Sequence, residues 1–172
     1  MTEFEIQPPA KRCFASGNSL PPGTVLYSVL MEENGNLVRR DFGESSWQGL
    51  DSFKNEKVIA FWKSINPKGF DSGGSSSKKK KNPIDYEILY QCFRQLVVRK
   101  DNPEQNQFIY VLALELMRKK KLSFEDYLKQ QETDFLSLKD VKTKEKYLIE
   151  DLKLSESEME SVQEKMTNLF GW

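Results

Sequence analysis

The sequence predicts an α+β protein in two parts: an N-terminal β-hairpin module on a metal-free, zinc-ribbon-like plan, then a helix-helix-three-strand-helix module. Three observations carry that prediction. Asn34-Gly35 lies between two apolar runs, where it supplies the positive φ angles of a tight hairpin turn. The composition changes abruptly at residues 69–82, which read GFDSGGSSSKKKKN. Beyond that point apolar residues first recur at helical spacing and then fall into short extended runs. The chain has 172 residues with 11 Phe, 6 Tyr and 3 Trp, so a packed core is expected despite an apolar share of 38%.

In the first part, Val25–Met31 and Leu37–Phe42 are the hairpin strands, with Glu32–Asn36 between them. Pro21-Pro22-Gly23 punctuates the approach to the first strand. Val58–Trp62 is a further apolar run, too short for periodicity to separate strand from helix. Residues 69–82 read as a solvated linker, because Gly and Ser offer little to bury and four adjacent lysines repel one another. The expected organisation is therefore a β-rich module over 1–68, a linker over 69–82 and an α+β module over 83–172.

The second part opens with Asn82-Pro83, a cap followed by a proline suited to the first helical position. Ile84, Ile88, Leu89, Cys92, Phe93, Leu96 and Val97 then form one apolar stripe. Asp101-Asn102-Pro103-Glu104 repeats the start signal, and Phe108–Met117 is apolar except at Glu115, which places a central helix there. Leu122, Phe124 and Tyr127, then Phe135, Leu136 and Leu138, then Tyr147, Leu148 and Ile149 read as three strands. A helix over Ser123–Gln131 is the competing reading of the first. Asp140–Lys146 is the loop between the last two. Ser155-Glu156-Ser157-Glu158 is a capping box, and Met159, Val162, Met166, Leu169 and Phe170 line one face of the helix it starts.

The chain contains no histidine, which removes Ser-His-Asp and Cys-His catalysis, HExxH zinc sites and the facial triad of two histidines and a carboxylate. Lysine plus arginine and aspartate plus glutamate each number 26, a balance that argues against a dedicated polyanion binder. Residues 1–82 carry 12 basic and 9 acidic side chains, and residues 83–172 carry 14 and 17. No apolar run approaches the ~20 residues that span a bilayer. Two distant cysteines without an export signal predict reduced thiols in the cytoplasm.

Positions 13, 16, 43 and 46 stand where a Cys-x-x-Cys … Cys-x-x-Cys zinc site would hold its ligands, one knuckle before the hairpin and one after it. Only Cys13 is a ligand; Ser16, Gly43 and Ser46 fill the other places. No metal and no cofactor are expected, and packing of Phe14, Tyr27, Phe42 and Trp47 is expected to hold the fold. The residues singled out for binding are Arg39, Arg40, Asp41, Trp47, Trp62 and Lys78, Lys79, Lys80 and Lys81. On a strand Arg39 and Arg40 point to opposite faces. One is expected to pair with Asp41, Glu44 or an acidic group of the second part, or to stack on Trp47, leaving the other for a ligand. Both tryptophans read foremost as core or hairpin cover. Arg118–Lys121 falls where cations favour the negative end of the central helix. Glu115 reads as an exposed or paired carboxylate, with a buried general acid as the sharper alternative.

Cys13-x-x-Ser-Gly, Pro22-Gly23, Tyr27-Ser28, Arg39-Arg40-Asp41-Phe42, Trp47-x-Gly and Phe61-Trp62-Lys63-Ser64 occur in that order, followed by Tyr110–Leu114 and Met117–Lys120. Together they resemble an uncharacterised, planctomycete-type family of small bacterial proteins. The resemblance spans nearly the whole chain outside the linker and implies cysteines at positions matching 43 and 46 in some relatives. It implies no activity. The function expected is protein–protein interaction or an adaptor role without catalysis, with an unknown protein as partner. Weak RNA, DNA or ribosome association through the lysine runs is the alternative.

Overall fold

The computed structural model describes residues 11–54, 56–66, 84–99 and 105–170. The expected linker, Asn82-Pro83 and the Asp101–Glu104 start signal lie outside them. The fold is α+β: a three-strand antiparallel sheet, two helices, a second three-strand antiparallel sheet and a C-terminal helix. The described residues form two compact units. One holds residues 85–99 and 105–166; the other holds 11–54, 56–66 and Ile84 together with 167–170.

The N-terminal unit is built on strands β1 (Val25–Glu33), β2 (Asn36–Gly43) and β3 (Lys57–Ile65), in the spatial order β2-β1-β3. Asn34 and Gly35 turn the hairpin with φ of 51° and 84°, the conformation that Gly and Asn tolerate best. The run whose type periodicity left open is strand β3, which pairs antiparallel with β1 and shifts register between Leu30 and Met31. Its residues Ile59, Ala60 and Trp62 are buried, so both faces are covered and no clean alternation survives. Cys13, Leu20, Leu26, Val29, Met31, Phe42 and Phe53 form one core cluster, with Tyr27, Trp47, Val58 and Phe61 packed against it.

In the second unit α1 spans Tyr86–Val97 and α2 spans Asn106–Arg118. Asp85 caps α1 by accepting the Glu87 N–H at 2.9 Å. Ile84, expected on the apolar stripe of this helix, precedes it and is exposed. The rest of the stripe, from Ile88 to Val97, is buried. Strands β4 (Leu122–Gln130), β5 (Thr133–Asp140) and β6 (Lys146–Glu150) form an antiparallel sheet in chain order. The helical alternative for Ser123–Gln131 is thereby set aside. Leu122, Leu136, Leu138 and Ile149 bury one face of this sheet, while Glu125 on β4 pairs with Lys139 and Lys146 at 3.5 and 2.8 Å. Helix α3 covers Glu156–Phe170. Its capping box closes reciprocally: the Ser155 N–H donates to Glu158 Oε2 at 2.8 Å, and the Glu158 N–H to Ser155 Oγ at 3.4 Å.

Candidate functional site

Positions 13, 16, 43 and 46 have a structural counterpart to their spacing in the N-terminal unit. Cys13 is buried at the mouth of a short loop closed by the Arg12↔Ser19 bridge, and Gly43 at the end of β2 donates its N–H to Cys13 Sγ at 3.5 Å. Burial alone would push this thiol up. The Ser16 and Ser46 hydroxyls and the Gly43 and Ser16 backbone N–H groups outweigh it and bring the thiol down to about 6. Positions 13, 16, 43 and 46 therefore converge on one sulfur atom, and the groove beside it is lined by serines together with Asn18 and Thr24. Among the described residues no group of three or more His, Cys, Asp or Glu side chains is placed to hold a metal ion.

Aromatic rings surround this corner. Tyr27 and Trp47 stack at 4.9 Å with planes 3° apart, and Phe61 stacks on Trp47 at 6.1 Å. Phe42 meets Phe14, Trp47 and Phe53 at 5.9, 5.7 and 5.5 Å. Phe53 was not singled out from sequence, and Phe61 was read only within the Val58–Trp62 run and the Phe61-Trp62-Lys63-Ser64 motif, because no spacing ties either to Trp47.

Arg39 and Arg40 point to opposite faces of β2, as the strand requires. Arg39 is buried and donates from Nε to Asp41 Oδ1 at 2.8 Å, while Ser28 Oγ donates to the same carboxylate oxygen at 2.5 Å. Asp41 is thus the internal partner of Arg39. The guanidinium stacking expected on Trp47 falls elsewhere: Arg39 lies over Trp62, 5.1 Å from its ring, and Arg40 over Phe14, at 4.2 Å. Arg40 is ion-paired to Glu33 and, at 3.2 Å, to Glu56. Neither acid was among the expected partners, because each is brought near only by the turn or by the loop before β3. Trp62 is buried and Trp47 half-buried. Lys78, Lys79, Lys80 and Lys81 lie outside the described residues.

In the second unit, Glu115 forms an ion pair with Arg118 at 2.7 Å and accepts from Gln163 at 3.4 Å, in keeping with the paired reading of this carboxylate. Lys121 pairs with Glu87 and stands 5.7 Å from the Tyr90 ring, and Lys119 stands 4.9 Å from the Tyr86 ring. Much of the Arg118–Lys121 run is therefore held by its own helices. The edge strand β4 differs: of its nine residues, all after Leu122 are exposed. Phe124, Tyr127 and Leu128 are 41%, 66% and 40% exposed, and the Phe124 and Tyr127 rings lie against each other at 4.7 Å. Sequence reasoning assigned β4 as a strand but gave no sign that its apolar residues stay uncovered.

No protein-family model, no curated protein and no solved structure matches this chain.

Proposed function

We propose that this protein works in the cytoplasm without catalysis, as an interaction module that receives an extended segment of another protein along β4. The single observation behind this reading is the edge itself: nine residues with no strand beside them on one side among the described residues, carrying Phe124, Tyr127 and Leu128 to solvent. An exposed edge offers a row of free N–H and C=O groups, and side chains on either side of it set which segment fits. The register shift between Phe124 and Asp126, with Glu125, Asp126 and Lys129, guards the strand against indiscriminate pairing. The pairing of Arg118, Lys119 and Lys121 within their own unit favours this reading over nucleic-acid association.

We also read the N-terminal unit as a zinc-ribbon-like module in which aromatic packing takes the place of the metal. That reading rests on the convergence of positions 13, 16, 43 and 46 and on the ring cluster beside them. The resemblance to the planctomycete-type family supports treating both units as one protein and adds no activity.

A photo-crosslinking phenylalanine analogue at Tyr127 of the full chain tests the first reading in native lysate. The expected result is one discrete protein adduct, absent when the probe sits at Glu160 and lost on adding Leu128→Glu with the circular dichroism unchanged. Equal crosslinking from both positions, or an adduct removed by nuclease, would overturn it.

A further inference from the structure

The N-terminal sheet holds a buried cation whose acceptors lie as far as 130 positions away in sequence. The Arg39 side chain is 5% exposed. Beyond its bond to Asp41, it donates from Nη2 to Ser28 Oγ at 3.1 Å and from Nη1 to the Leu169 carbonyl oxygen at 2.6 Å. Leu169 is 130 positions away in sequence and lies in the last turn of α3. Residues 167–170 belong to the same compact unit as the sheet. Trp62, whose ring lies by the guanidinium, packs against Phe170 at 5.5 Å, and Leu169 and Phe170 are both buried.

The last carbonyls of a helix have no partner within the helix, and together they carry the negative end of its dipole. Burying such a carbonyl is costly unless a donor meets it, and burying a guanidinium is costly unless acceptors surround it. Arg39 and Leu169 answer both needs at once. Asp41 balances the charge, so the socket stays neutral overall with the turn in place.

We propose that residues 167–170 are a latch: the socket of Ser28, Arg39, Asp41 and Trp62 recognises the C-terminal end of a helix that carries an aromatic ring, and the β1–β3 sheet loosens when that turn leaves. Withdrawal of the turn leaves Arg39 short of an acceptor and uncovers one side of Trp62. Residues 167–170 thereby control the order of the β1–β3 sheet.

Amide hydrogen exchange on the full chain tests this. In the unmodified protein at low urea, the last-turn amides of α3 and those of β1–β3 should open together, with one urea dependence. Phe170→Ala should speed exchange in β1–β3 by about tenfold or more and leave β4–β6 unchanged. Arg39→Lys keeps the charge but loses the fork of donors, so it should act in the same direction. Lys54→Ala, at an exposed side chain of the same unit, is the control and should leave β1–β3 protection near its starting value. Opening of the last turn while β1–β3 stays protected, or equal losses in both sheets on Phe170→Ala, would overturn the proposal.

Discussion

Restoring the absent ligands by Ser16→Cys, Gly43→Cys and Ser46→Cys together should create a zinc site around Cys13. The structure lets the cost be set against the gain. At Gly43, the new Cβ would meet Leu20 Cδ2 at 3.3 Å, so one flexible side-chain end must give by a few tenths of an ångström. The backbone there is extended, with φ −72° and ψ 158°, and accepts any residue. Crowding of this kind costs about 1–3 kcal/mol. Against it, apparent binding free energies for structural zinc in small fingers are about 10–16 kcal/mol at pH 7. Metal needs thiolates, and with its thiol near 6 Cys13 is already largely ionised at neutral pH. With free zinc at 100 times Kd the variant should gain about 2.7 kcal/mol, which raises Tm by about 5–10 °C. Elemental analysis, the cobalt–thiolate absorption band and melts with and without chelator read this out. The unmodified chain should hold far less than one zinc. A triple variant whose sheet resonances are intact but which shows no cobalt band would refute the convergence of the four positions. Stoichiometric zinc in the unmodified chain would refute the metal-free reading.

Three further outcomes follow from buried titratable groups. Asp140 is fully buried and accepts from the Lys142 and Thr143 N–H groups at 2.8 and 2.9 Å and from the Tyr90 hydroxyl, so Tyr90→Phe should cost about 1.5–3 kcal/mol in urea unfolding. Burial pushes the Asp140 carboxyl up, but these donors outweigh it and hold it below the usual value. A depressed folded pKa gives stability that is complete above the unfolded carboxyl value near ~3.9 and is lost as pH falls through the folded one. Unfolding titrations of Asp140→Asn should therefore show less acid sensitivity than the parent below about pH 4, and an unchanged acid limb would contradict the assignment. Iodoacetamide near neutral pH should label Cys13 ahead of Cys92, whose thiol burial drives well above its ordinary range. Peptide mapping that finds Cys92 labelled first in folded protein would refute this ordering.

What could be read from sequence was local. Asn34-Gly35 and Ser155–Glu158 encode their turn and cap within four or five residues, because each motif satisfies its own backbone groups. The opposite faces of Arg39 and Arg40 followed from the two-residue period of a strand. The partners did not follow. Leu169 meets Arg39 across 130 positions, Glu56 meets Arg40 across 16, and Tyr90 meets Asp140 across 50. Each depends on how elements pack, which periodicity does not specify. The exposure of Phe124 and Tyr127 was hidden for a similar reason: strand pattern fixes which face a side chain takes, not whether anything covers that face. The four-position corner was the exception among long-range features, because a Cys13-x-x-Ser16 … Gly43-x-x-Ser46 spacing on either side of a hairpin relates positions 33 residues apart.

With Ser16, Gly43 and Ser46 at three of the four positions, the N-terminal unit draws on contacts other than a metal site. A tetrahedral thiolate site ties both knuckles together through one ion and needs little else from the chain. Here the segments around Cys13 and Gly43 are tied by hydrogen bonds to the Cys13 sulfur and by rings. Offset and edge-on aromatic pairs contribute about 0.5–1.5 kcal/mol each beyond the area they bury, and several meet at Trp47 and Phe42. Those contacts lie on one face of the sheet. The other face carries Ser28, Arg39, Asp41 and Trp62, a set that includes an ionised pair and is stable when buried only if its donors and acceptors are matched. Leu169 and Phe170 supply part of that match. The N-terminal sheet thus draws on two sources of order, rings on one face and the last turn of α3 on the other.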